Sequence, residues 1–289
     1  MAFCVSANGA PKPAPGGRPT AAKQVPAKSG HHFLWKVLNI PQPFYILGSV
    51  HALRSKDYPL PKEIDRAVKE CRQFVFELDP PDELRKQGYR KKLREAARYP
   101  SGVTIKQKVR PETYAYLQKI ARGRPAEWNT VKPWAIAMYL YGNTKGQDIY
   151  SGIGVESYVH RKAPRIGSRF AGLETADERL AVFKGMTDIE SEIFLLQTLV
   201  YSDQIIARFG EITDAWKRGD KAKILQIYAA QDQEAPTITA RLVDWRNIAW
   251  IPKIEQHIKS GKPTMIVGSP APLRAQQCHL TAGETGLHA

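Results

Sequence analysis

Hydrophobic and polar positions follow two rhythms along this chain, and the switches between them mark its elements. Phe44-Tyr45-Ile46-Leu47-Gly48 is a short apolar run bounded by Pro43 and a glycine, the pattern of a buried strand. Pro61 then opens a segment in which Ile64, Ala67, Val68 and Cys71 recur at helical spacing. From Arg72 to Asp79 the period falls to two, with Phe74, Phe76 and Leu78 on one face of a strand and Val75, Glu77 and Asp79 on the other. Two carboxylates therefore leave the same face of a β element.

The stretch from 82 to 250 is mostly helical in pattern. Thr187 and Glu190 have the spacing of a capping box at the head of a long amphipathic helix that carries Ile193, Leu196, Leu199, Val200 and Ile205. A break rich in Gly and Ser around 150–175 predicts a return to the sheet. A helix from Thr237 to Lys259 then leads through Gly261-Lys262-Pro263 into a second glycine-ended apolar strand, Thr264-Met265-Ile266-Val267-Gly268. Strands near both ends and helices between them predict one α/β domain whose helical insert is a candidate lid.

With 289 residues the chain has room for one large core or two modest ones. Its net charge of +15 raises the question of an anionic partner. The one dense basic run, Arg85–Arg98, is interleaved with Tyr89, Leu93 and Ala97, and reads as an amphipathic helix with a solvated basic face; a dedicated polyanion site is the alternative. No specific nucleic-acid partner is expected. No apolar run reaches the roughly 18 residues of a transmembrane helix, since Ile193–Tyr201 is broken by Gln197 and Thr198. Cys4, Cys71 and Cys278 have neither disulfide-framework nor zinc-finger spacing.

Residues 1–30 read as a flexible leader, because 11–30 is rich in Pro, Gly, Ala and Lys and has almost nothing to bury. Ala2–Ala7 resembles the end of a secretory signal, so an exported protein (periplasmic, cell-surface or secreted) is expected if a full signal precedes it, and a cytoplasmic one as written; an ordinary disordered tail is the alternative. The folded domain is expected over 31–270, followed by an atypical tail at 271–289.

The two glycine-ended strands resemble each other: Phe44 to Gly48 continues Ser-Val-His51, and Thr264 to Gly268 continues Ser-Pro-Ala271. In the first, Gly48 is expected to let the chain leave the strand by a tight turn, with Gly268 its counterpart, and His51 then sits at the strand's carboxyl end, where open α/β sheets place ligand sites. An imidazole with a carboxylate such as Glu77 nearby suits a divalent transition metal or general-base chemistry. A structural histidine is the plain alternative.

On Phe33-Leu-Trp-Lys-Val, Ile46-Leu-Gly-Ser-Val-His51, Tyr58-Pro-Leu-Pro61, Phe76-Glu77-Leu-Asp79, Lys132-Pro-Trp134, Gly154-Val-Glu156, Gly172-Leu-Glu174-Thr and Arg246-Asn247, in that order, the chain resembles the TraB/GumN family. That family is related to the Tiki metalloproteases and more distantly to erythromycin esterase-like and ChaN-like proteins. The resemblance implies an α/β fold of that type, with a central sheet formed by N- and C-terminal strands around a large helical insert. It implies a metal-dependent hydrolase of the peptidase class acting on a peptide or protein substrate, marked by two Gly-x-x-His motifs. A divalent ion (Mn²⁺, Co²⁺ or Zn²⁺) would be held by His51, Glu77 and a second histidine. Glu156 or Glu174 would be a general base and Arg246 an oxyanion stabiliser. Asp79 as a simple cap and Glu174–Arg246 as a buried ion pair are the structural alternatives, and a noncatalytic peptide- or pheromone-binding protein using the same cleft is the functional one.

The sequence departs from this pattern where the second histidine belongs, because Gly268-Ser-Pro is followed by Ala271. Permitted codons for Ala271 onward, read one base later, spell H-L-C-G-P-N-N-V-I-S-L-L-A-R-R-G-Y-T, which restores the histidine and an apolar helix. One inserted base near the codon of Pro270 is the expectation, and a naturally divergent tail the alternative. A catalytic metal site uses about three protein ligands, so the expected metal site is impaired in this chain.

Overall fold

The computed structural model describes residues 33–51, 53–78, 87–120, 125–142, 154–200, 202–268 and 287–288. Its strands are Leu34–Val37 (β1), Phe44–Gly48 (β2), Gln73–Leu78 (β3), Arg169–Glu174 (β4), Thr264–Gly268 (β5) and the two-residue Leu287–His288 (β6). They form one mixed sheet in the order β4-β3-β5-β2-β1-β6. The strands β4, β3, β5 and β2 run parallel, while β1 is antiparallel to both β2 and β6. Both glycine-ended strands of the sequence are thus present with the expected bounds, and they are neighbours.

Helices Lys62–Glu70 (α1), Gln87–Ala96 (α2), Pro111–Ile120 (α3), Pro125–Trp128 (α4), Pro133–Gly142 (α5) and Val155–Lys162 (α6) precede β4. Helices Ala176–Lys184 (α7), Asp188–Val200 (α8), Ser202–Arg218 (α9), Lys221–Glu234 (α10), Pro236–Thr239 (α11) and Trp245–Lys259 (α12) follow it. Every residue of β5 is buried, which is what helices on both faces of a parallel sheet impose. The alternation in β3 sorts its side chains between two core layers. Phe74 and Phe76 join Leu47, Val68, Val159 and Val267 on one side. Val75 joins Phe44, Leu173, Trp250 and Ile266 on the other. Glu77, in phase with Val75, therefore belongs to the face covered by α12.

The insert has an apolar cluster of its own, in which Ile136 and Ala137 of α5 pack with Leu195 and Leu199 of α8. Trp134 stacks on Phe183 there, and its backbone N–H donates to Ser191 Oγ at 2.9 Å. The capping box at Thr187 is present, with Glu190 N–H donating to Thr187 Oγ1 at 3.1 Å and Thr187 N–H donating to Glu190 Oε2 at 2.8 Å.

One expectation is corrected: in the predicted long helix, described as α8 and α9 on either side of Tyr201, which lies outside the described residues, the buried side of α8 is Ser191, Glu192, Leu195, Thr198 and Leu199, while Val200 is 65% exposed. Apolar residues occur almost all round α8, so periodicity could not choose the face that packing on α5 selects. The predicted helix from Thr237 to Lys259 is present as one unbroken helical run, in which α11 continues into α12 through a π-helical turn at Ala240–Asp244. Asp79, the leader and residues 269–286 lie outside the described residues. No helix among the described residues is long and apolar enough to cross a membrane.

Candidate functional site

Four parallel strands end side by side, and the acidic and basic residues singled out in the sequence gather at that edge. Gly48 and Gly268 are paired across β2 and β5, so the segments that follow them leave adjacent strands at one level. Neither glycine is left-handed; those with positive φ among the described residues are elsewhere. The tight turn assigned to Gly48 is thus not built on a glycine-only conformation: Gly48 is the last paired residue of β2, and its carbonyl accepts a hydrogen bond from the Trp216 indole of α9 at 2.7 Å. At Gly268 an added Cβ would lie 3.4 Å from Glu77 Cγ, an ordinary contact, so Glu77 runs directly past the end of β5.

His51 follows β2 by three residues and is oriented by the start of α6. Gly154 caps that helix, and a Cβ there would lie 2.2 Å from the His51 carbonyl oxygen. Only glycine permits this approach, which Val155 N–H reinforces by donating to Val50 O at 3.0 Å. The approach brings Glu156, in the first turn of α6, onto His51, with Oε1 2.8 Å from the ring Nδ1. Ser49 Oγ donates to the same oxygen at 2.6 Å. A helix amino terminus favours a carboxylate at this position.

The charges reinforce one another. Glu156, by its charge and its hydrogen bond, lifts the His51 imidazole to about 9, and Glu77 adds to the rise against desolvation and Arg179. Burial alone would raise Glu156, but His51, Ser49 and the helix backbone outweigh it and hold the carboxyl below its usual range. The pair therefore favours the protonated imidazole at neutral pH.

Behind it lies a closed ring of four charges. Arg246, from α12, is bidentate on Glu174, with Nε 2.9 Å from Oε2 and a terminal nitrogen 2.7 Å from Oε1. The same terminal nitrogen is 2.9 Å from Glu77 Oε2. Arg179, from α7, closes the ring at 2.8 Å from Glu77 Oε2 and 2.5 Å from Glu174 Oε1. The carboxylate side chains are only 8% and 5% exposed, so two guanidinium groups balance two buried negative charges. Arg246 also lies over the Trp250 ring at 4.8 Å and donates to Leu242 O.

A model of the TraB/PrgY/gumN family matches residues 33–269. The chain belongs to that family. A search of curated proteins and one of solved structures each found no match.

Seen as a TraB/PrgY/gumN chain, the site sorts the sequence candidates into two groups. His51 and Glu156 form one hydrogen-bonded pair, whereas Glu77, Glu174 and Arg246 belong to the charge ring, so the Glu174–Arg246 ion pair posed as an alternative is present. Ser49, Gly154, Arg179 and Trp216 enter the site without having been picked out for it. Ser49 and Gly154 lie within the family-like motifs, but nothing local in the sequence ties Arg179 to Glu77, 102 residues away, or Trp216 to Gly48, 168 residues away.

The described donors do not fit a complete divalent-metal centre. Among the described residues no three His, Cys, Asp or Glu side chains converge to hold a metal. His51 has one nitrogen committed to Glu156, and Glu77 already carries two guanidinium groups. Two donors fall short of the about three that catalytic sites use.

Proposed function

We propose that the carboxyl edge of the sheet is a hydrolase pocket of the peptidase class, on a fold of the Tiki/erythromycin esterase/ChaN type, with its metal-binding half incomplete in this chain. The observation that carries the reading is the register of Gly48 with Gly268, which starts two equivalent segments from adjacent strands. Three residues on, the first has His51 and the second has Ala271, which lies outside the described residues. His51, oriented by Glu156, is the first of the two metal-ligating histidines, and Glu156 is the general base beside it. Arg246, Arg179 and Glu174 set the position and charge of Glu77 and do not face a substrate as free groups.

The test is Ala271→His in the full chain, which rebuilds the second Gly-x-x-His. Calorimetry with Mn²⁺, Co²⁺ and Zn²⁺ is expected to show at least about tenfold tighter binding than in the parent chain, with cleavage of a peptide library that His51→Ala abolishes. An Ala271→His variant that binds metal no better and cleaves nothing overturns the proposal.

A second reading rests on the raised His51. A solvent-facing imidazolium at neutral pH suits the capture of a peptide carboxylate. Peptide binding by the parent chain that survives a chelator and fails above pH 9 would favour that reading.

A further inference from the structure

Exposed basic side chains and an exposed isoleucine gather at the amino ends of the same strands. Between α6 and β4 the chain makes a turn at Arg165-Ile166-Gly167, with Gly167 at φ +80°. Ile166 at its tip is 91% exposed. Arg161, Lys162, Arg165 and Arg169 flank it and are all exposed. The ring of His160 lies 4.6 Å from that of Phe170, which ties the end of α6 to the start of β4 and keeps these charges together. Backbone hydrogen bonds add two more: Arg169 N–H donates to Arg72 O, and Arg72 N–H to Pro263 O beside Lys262.

Lys162 is 3.8 Å from Asp65, whereas Arg72, Arg161, Arg165, Arg169 and Lys262 have no carboxylate partner among the described residues. Of the nearby carboxylates, Asp65 accepts from the Tyr158 hydroxyl at 2.6 Å and Glu70 from the Tyr45 hydroxyl at 2.5 Å, and neither makes an ion pair with these five cations. A net-basic surface with an exposed isoleucine between its arginines combines the two signals of peripheral membrane binding, attraction to anionic headgroups and insertion of an apolar side chain. A nucleic-acid backbone would use the charges and leave Ile166 in water.

We propose that this face docks the protein on an anionic lipid bilayer, with Ile166 entering the interface. The strands run from this face to the pocket, so docking points the pocket toward the aqueous phase. The proposal stands independently of the hydrolase reading.

Flotation of the full chain with vesicles of phosphatidylcholine, alone or mixed with phosphatidylglycerol, tests it. Binding is expected only to the mixed vesicles and is expected to weaken with salt. Arg165→Glu/Arg169→Glu lowers it at least about tenfold, and Ile166→Ser about fivefold with an unchanged salt slope. Near-UV circular dichroism checks that both variants stay folded; these side chains are exposed, so they are expected to. No binding to the mixed vesicles overturns the proposal. So does binding indifferent to Ile166→Ser, and tighter binding to a DNA duplex than to the vesicles makes the face a polyanion site instead.

Discussion

Replacing Arg246 by Met tests whether the charge ring is an interior structure. The substitution keeps an apolar stem to pack near Trp250 but removes a bidentate pair with Glu174, a bond to Glu77 and the bond to Leu242 O. Glu77 and Glu174, 8% and 5% exposed, would then have one guanidinium, Arg179, between two buried carboxylates. Breaking a buried pair by removing one partner costs roughly 3–5 kcal/mol. Arg179 stays on both carboxylates and is 25% exposed, which admits water, so the lower end applies and about 3 kcal/mol is expected. Urea unfolding followed by circular dichroism measures it, with Glu174→Gln and the double variant completing a cycle. Glu174→Gln alone strands a guanidinium, whereas the double variant removes one charge of each sign, so a coupling of at least about 1 kcal/mol is expected. An Arg246→Met cost under about 1 kcal/mol, with additive single variants, would refute a desolvated ring.

Other consequences follow from contacts around the site. Gly154→Ala sets a Cβ against the His51 carbonyl; a loss of about 2 kcal/mol or more is expected, and a histidine NMR titration should show His51 released from Glu156. In the parent chain that titration should find His51 near 9, and Glu156→Gln should return it toward 6.5. Because the folded value lies above the unfolded one, this pair's stabilisation is whole below pH 6.5 and fades as pH rises through 9. Asp57 has the opposite sign: burial would raise it, but Arg54 and Lys217 outweigh burial and hold it at about 2 against 3.8. Its stabilisation, about 2 kcal/mol, is present above pH 3.8 and lost as pH falls through 2, so Asp57→Asn should flatten acid unfolding in that window.

The order of elements was legible because its signals are local. A five-residue apolar run ending in glycine is a strand in either copy, and Thr187-x-x-Glu190 caps a helix through bonds only three residues apart. The period of two in β3 puts Glu77 in phase with Val75, which places it on one face of the sheet whatever covers that face. The buried face of α8 was not legible, since its apolar positions nearly encircle the helix and only the fit to α5 distinguishes them.

By itself, the sequence determined which residues are candidates for chemistry: His51 after a strand, Glu77 within one, and a family pattern broken at Ala271. Only the tertiary structure decided how they are shared out, because a charge buried far along the chain takes whatever partner folding brings to it. Glu156 was brought to His51 by a helix that only Gly154 allows so close. Glu77 was given to Arg179 and Arg246, from helices 102 and 169 residues away, since two carboxylates at the ends of neighbouring strands are stable out of water only with cations over them.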